Sequence, residues 1–310
     1  MKKFIVHICL ILICSIAILY GLDRVITHNL HHSTATMYRC WNELIYGQTN
    51  YNLIINGNSR AWKMYSPAIL DSVLHTNSYN IGLDGRGIDT QSLRFYTYCA
   101  HHDAPTYLIQ NVEAFTLEPS NGYEREQFLP YFNEPLVWNY AYQYEDMHVL
   151  ERYIPLIRYS GYRDVIYEGL ELKHNNMLHE PTIKGYLGSD RPWDGGAFAQ
   201  LKEWHFCYDS LRVAMLDDEL AFCRQNDIQV IMVFAPVYVG AVEKMSEADY
   251  NLMMQVYHGL SEKYGVPFLN FLGDDLCQDT AYFYNATHMN KLGAELFSLQ
   301  LTDSLKSIIK

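Results

Sequence analysis

The chain has 310 residues, 49% of them hydrophobic and 19% charged, which excludes general disorder and allows a sizeable core. Its formal net charge of -12, with no Lys/Arg run interleaved with aromatics, excludes nucleic acid held by counterion release. At this length one α/β domain with an insertion is the expected organisation.

The first element is apolar from Phe4 to Leu22 apart from His7 and Ser15, and as a helix of about 28 Å it is long enough to cross a bilayer. Lys2 and Lys3 precede it and no compact basic cluster follows, which predicts a cytoplasmic N-terminus and an exported remainder. Residues 1–22 are therefore expected to be a single-pass anchor, leaving the C-terminal domain periplasmic or on the outer face. The competing reading is a cleaved signal peptide, because Ser15-Ile16-Ala17 weakly resembles a cleavage site, although the apolar run continues past it. Ile13 before Cys14 is a poor match to a lipoprotein-processing site. Residues 23–48 read as a stalk or approach segment, and 49–310 as the folded domain.

From residue 52, short apolar runs alternate with helical patterns, the rhythm of parallel βαβ units. Strands are predicted at Asn52 to Asn56, Ser78 to Gly82, Tyr107 to Val112, Gln229 to Ala235 and Pro267 to Leu272. The expected fold is α/β, a flavodoxin-like three-layer α/β/α arrangement with a five-stranded parallel sheet. Ser66-Pro67 marks one helix start, Ser246 with Asp249 another, and Gly265 then Pro267 ends the latter. Val213, Leu216, Leu220 and Cys223 form one buried stripe, and Leu292, Leu296, Leu299 and Leu305 a second on the last helix.

About a hundred residues separate the third and fourth strands, so an inserted helical cap is expected at about 113–207. Its aromatics include Tyr131, Phe132, Trp138, Tyr140, Tyr142 and Tyr144, followed by a loop from Lys184 to Gly196 that contains Tyr186 and Trp193. Exposed aromatics could stack on sugar rings, which makes Tyr186 and Trp193 candidates for substrate binding; the bland reading is that the cap needs aromatics for its own core. Seven cysteines with no CxxC or Cys/His zinc spacing favour buried single thiols, with one disulfide possible. His31-His32 and His101-His102-Asp103 lack the i, i+4 spacing of a helical ligand pair, so neither a metal nor another cofactor is expected.

In Ile54-Ile55-Asn56-Gly57-Asn58-Ser59-Arg60-Ala61 a buried strand ends in a glycine-containing turn that presents Ser59 where α/β sheets form their ligand crevice. A serine nucleophile needs a neighbouring base. His288 lies after the fifth strand and just before the last helix, at the same sheet edge, and is the candidate. Arg60 reads equally as a binder of an acidic group or as a structural anchor paired with a buried acid, and is left out of catalysis.

Gly57-Asn58-Ser59-Arg60 resembles the first block of the SGNH (GDSL-like) hydrolase superfamily, and His288-Met289-Asn290 with Gly293 and Ala294 resembles its final block. The membrane-anchored cell-envelope branch, which includes DltD-like and O-acetylation proteins, is the nearest in character. The resemblance implies an oxyanion hole from the Ser59 N–H, from Gly82 (or Gly85) after the second strand and from Asn111 at the end of the third. It also implies an aspartate three residues before the histidine, where this chain has Asn285. An asparagine carbonyl can hold the imidazole tautomer without adding charge, and Asp279, Asp275, Asp274 or a backbone carbonyl are alternative orienters.

The expected function is an SGNH-type esterase or O-acyltransferase acting on an acylated cell-envelope glycan or polymer through an acyl-serine intermediate, with a membrane-bound acyltransferase as a possible partner. The alternative is a catalytically weak or inactive binding or assembly protein of the same fold.

Overall fold

Leu53–Asn56, Tyr107–Asn111 and Gln229–Phe234 are almost wholly buried, as strands covered on both faces must be. The computed structural model describes residues 1–85, 87–119, 124–143, 148–172 and 176–309, so Tyr144 lies outside the described residues. It divides into two units, Met1–Gln48 with Tyr123–Glu180, and Thr49–Gly122 with Pro181–Lys310.

The second unit is the α/β domain. Its strands are β1 (Leu53–Asn56), β2 (Ser78–Asn80), β3 (Tyr107–Asn111), β4 (Gln229–Phe234) and β5 (Phe268–Asn270). They are parallel and ordered β2-β1-β3-β4-β5, the flavodoxin-like order. Each predicted strand is present, shortened by one to three residues. Side chains alternate across the sheet: Leu53, Ile55, Tyr107, Ile109, Ile231 and Val233 share one core with Phe297, Leu301 and Leu305 of the last helix, Lys291–Leu305. Ile54, Leu108, Val230 and Met232, on the alternate positions, are also buried, so both faces are covered.

Two helix boundaries follow their sequence signals. Ser66 with Pro67 opens Pro67–Leu74, and the Ser246 hydroxyl accepts the Asp249 N–H at the start of Glu247–Tyr264, which ends at Gly265 in a left-handed conformation. The last helix differs from expectation. Leu292 and Leu299 are exposed, and the buried face is Ala294, Phe297, Leu301 and Leu305. A side chain at Gly293 would place its Cβ 2.2 Å from the Tyr282 carbonyl oxygen, so the glycine side of the helix is the one that can approach the neighbouring chain.

The expected cap divides. Tyr123–Glu180 belongs to the other unit, whereas the loop from Lys184 to Gly196 belongs to the α/β unit and is tied down along its length. Lys184 O accepts the Asn80 N–H, Leu187 N donates to Trp62 O, and Asp194 N donates to Tyr284 O.

In the first unit the N-terminal helix runs from Lys2 to Leu30 and is long and apolar enough to cross a membrane. Its last two turns are packed: Asp23 accepts from Arg158 Nη2 at 2.6 Å and from the Leu156 N–H at 2.9 Å, and Thr27 bonds Tyr159. The segment expected to be a stalk forms helix Thr36–Tyr46 and buries Tyr38, Trp41 and Leu44 completely. Trp41 Nε1 donates to Gln127, and its ring meets Phe128 and Tyr131. Residues 23–48 thus help to build a core instead of spacing one. Tyr131, Phe132 and Trp138 are buried in this unit, while Tyr142 is exposed. No disulfide forms among the described residues.

Candidate active site

β1 and β3 are neighbours from which the chain proceeds in opposite directions, to β2 and to β4, so a ligand crevice opens at their carboxyl ends. Asn56 Oδ1 accepts the Gly57 N–H, and Asn58 caps the following helix, Ser59–Met64, by accepting from Arg60 N at 3.0 Å. Gly57 has φ +152°, and a Cβ there would lie 2.6 Å from Ala61 Cβ and 2.9 Å from Asn111 Cβ. Only a glycine lets the chain turn this tightly into a helix whose first residue is Ser59.

His288 is presented by a small antiparallel hairpin of β6 (Phe283–Asn285) and β7 (His288–Met289). Asn285 folds the turn: its Oδ1 accepts the N–H groups of Thr287 at 3.1 Å and His288 at 2.9 Å, and lies 3.1 Å from His288 Nδ1. Thr287 Oγ1 is also 3.1 Å from Nδ1. With these oxygens around Nδ1, a neutral ring carries its proton there and offers the Nε2 lone pair to Ser59 Oγ, 2.8 Å away. Burial, then the positive charges of Arg60 and Lys63, lower the histidine pKa from 6.5 to about 3. The imidazole is therefore neutral and able to accept a proton at ordinary pH, but its protonated form is poorly stabilised.

The aspartates considered as orienters are occupied elsewhere. Asp274 caps Leu276 and receives Gln300, Asp279 caps Ala281, and Asp275 is exposed. The residue that meets Nδ1 is Asn285, without a carboxylate.

The expected oxyanion donors differ in availability. The Ser59 N–H lies in the first turn of its helix and has no acceptor within it. Gly82 N donates to Asn80 Oδ1 at 2.9 Å, so that donor is engaged. Gly82 serves close approach, since a Cβ there would sit 2.5 Å from Trp62 N. Gly85 lies in an exposed turn. Asn111 is fully buried, its Oδ1 accepts from Tyr65 Oη at 2.8 Å, and its Nδ2 has no hydrogen-bond partner among the described residues. That nitrogen is 3.5 Å from the Cβ position of Gly57, beside the serine turn.

Arg60 is an anchor in geometry. It is buried against Glu113 at 3.3 Å and donates to the carbonyls of Ala235 and Pro236. Tyr186 is 5% exposed and packed in the α/β core, which removes it as an open stacking face. Trp193 is half-buried against Phe198 and Tyr238. Sequence reasoning missed Tyr65, which turns the Asn111 amide, and Arg94, wholly buried with Nη2 donating to Gly57 O at 2.7 Å. An arginine within a helix carries no sequence signal that separates it from a solvated one.

No protein-family model matches the chain, and no curated protein does. Among solved structures it is similar to the lipase/acylhydrolase from Enterococcus faecalis, with 10% identity over 83% of this chain and 96% of that one and a TM-score of 0.42. It is also similar to a protein from Lactobacillus plantarum, with 14% identity over 85% and 100% of the two chains and a TM-score of 0.43. The likeness is one of fold.

Proposed function

We propose that this chain is an SGNH-type serine esterase or O-acyltransferase, held at a membrane by its N-terminal helix and acting on acyl groups of a cell-envelope glycan or polymer. The observation that carries the reading is the 2.8 Å contact from His288 Nε2 to Ser59 Oγ, with Nδ1 held on its far side by Asn285. In the first step Ser59 Oγ attacks the ester carbonyl while Nε2 takes the serine proton. The tetrahedral oxyanion is met by the Ser59 N–H and Asn111 Nδ2, a typical donor being worth about 3 kcal/mol. Collapse expels the alcohol, which receives the proton from Nε2 and leaves acyl-Ser59. Water as the second acceptor completes hydrolysis, and a sugar hydroxyl completes transfer; a membrane-bound acyltransferase supplying the acyl donor would suit the latter.

The neutral Asn285 and the low histidine pKa favour a second reading, a weak or inactive assembly protein of the same fold. Labelling of the full chain with a fluorophosphonate probe separates the two. The enzyme reading expects labelling that Ser59→Ala abolishes, together with Ser59-dependent release of acetate from model esters. Retention of both signals in Ser59→Ala removes Ser59 as the nucleophile, and absence of both from the wild type sinks the enzyme reading in favour of the assembly role.

A further inference from the structure

The first unit holds a pocket of about 80 Å³, larger than one water requires, at the point where the apolar run of the N-terminal helix ends. Tyr20, Asp23, Arg24, Arg152, Tyr153 and Arg158 contribute to its lining. Three guanidinium groups therefore face one carboxylate. Asp23 is matched by Arg158 Nη2, while Arg158 Nε, on a side chain 5% exposed overall, has no hydrogen-bond partner among the described residues. Among the described residues Arg152 donates a single 3.4 Å bond, to Asn133 O, and rests on the Trp138 ring, and Arg24 is exposed. Three arginines against one aspartate leave the lining with surplus positive charge. Guanidinium groups match phosphate oxygens with paired N–H donors, and a phosphodiester fits this surplus better than a carbonyl or a sugar would.

Position decides which phosphate. Asp23 and Arg24 are the first charges after Lys3, so the hydrocarbon of a bilayer crossed by this helix ends at about Leu22 and the pocket opens at headgroup level. Tyr20 and Tyr153 are placed as interfacial tyrosines are. The adjoining segment leaves Val149, Leu150, Tyr153, Ile154 and Ile157 exposed, a concentration of apolar surface that water penalises and a lipid boundary accepts.

We infer that this pocket binds the phosphate of an anionic phospholipid headgroup, fixing the first unit against the membrane surface. The inference rests on the helix crossing a bilayer and is independent of Ser59. To test it, the full chain is placed in nanodiscs of equal phosphatidylcholine and phosphatidylglycerol, and the lipid retained after release is read by native mass spectrometry. One phosphatidylglycerol is expected to stay bound in preference to phosphatidylcholine. Removing interfacial charge should weaken its affinity about fivefold per arginine in Arg24→Ala and in Arg152→Ala. Arg24→Lys and Arg152→Lys should lose less affinity than the alanine variants but not match the wild type, because charge persists while the paired N–H donors are lost. Ser59→Ala should bind as the wild type does, which keeps failure of the esterase reading separate. Equal retention of the two lipids, unchanged retention in the alanine variants, or tighter binding of inorganic phosphate than of phosphatidylglycerol would overturn it.

Discussion

At Asn285 one atom separates the observed site from a charged triad. Its Oδ1 already lies 3.1 Å from His288 Nδ1 and accepts the two turn N–H groups, so Asn285→Asp keeps the acceptors in place and adds negative charge to the ring's far side. In a serine-protease triad the reverse change costs about 10⁴ in rate. The variant should raise kcat for a soluble acetyl ester by at least about tenfold, measured by initial rates; no gain would mean that the histidine is not the base. The pH profile is the second readout. Activity needs neutral His288, whose pKa is lowered to about 3, so wild-type kcat/KM should fall only as the pH drops through that value. The added carboxylate raises the pKa and moves the acid limb to higher pH. Stability follows the same sign: between 6.5 and about 3 the unfolded histidine binds more protons than the folded one, so this residue destabilises the fold progressively as the pH falls. Asn285 was legible in sequence because it sits at fixed spacing from His288. The open Asn111 Nδ2 was not, because it depends on Tyr65 Oη reaching across to fix the amide's other end.

The strand-turn-helix that carries Ser59 was legible as an element, since a buried β-rich run ending in Asn-Gly-Asn-Ser has few other conformations. Its tolerance was not, because the atoms that crowd Gly57 come from Ala61 one turn on and from Asn111 on the adjacent strand. Gly57→Ala should therefore destabilise the α/β unit by about 1–3 kcal/mol, through overpacking and an unfavourable φ, and displace Ser59 from His288. Denaturant unfolding and ester hydrolysis measured together check this; unchanged stability with full activity would show that the turn relaxes freely. The last helix shows the converse limit. Leu292, Leu296 and Leu299 follow helical spacing as well as the true buried face does, and the choice between them lies in Gly293 meeting the Tyr282 backbone. Periodicity within one helix cannot contain the position of a carbonyl on another segment.

At the scale of the whole chain, the five-stranded sheet was legible because each strand is a contiguous signal, whereas the first unit was not, because its core is assembled from two segments some eighty residues apart. Tyr38, Trp41 and Leu44 look like an ordinary amphipathic helix until Gln127, Phe128 and Tyr131 are seen against Trp41. Burial of each such side chain stabilises by about 1.5–3 kcal/mol, so losing several at once removes a large share of what holds a small unit together. A chain shortened to begin at residue 23 keeps Asp23 for Arg158 and the whole helix from Thr36, whereas one that begins at residue 49 keeps neither. The first should resist limited proteolysis between residues 124 and 180 as the full chain does. The second should be cut there rapidly and show fast amide exchange in that segment, while the strands that carry Ser59 and Asn111 stay protected. Equal protection of residues 124–180 in both would mean that this segment folds without the N-terminal helices, and that these two helices serve only to connect.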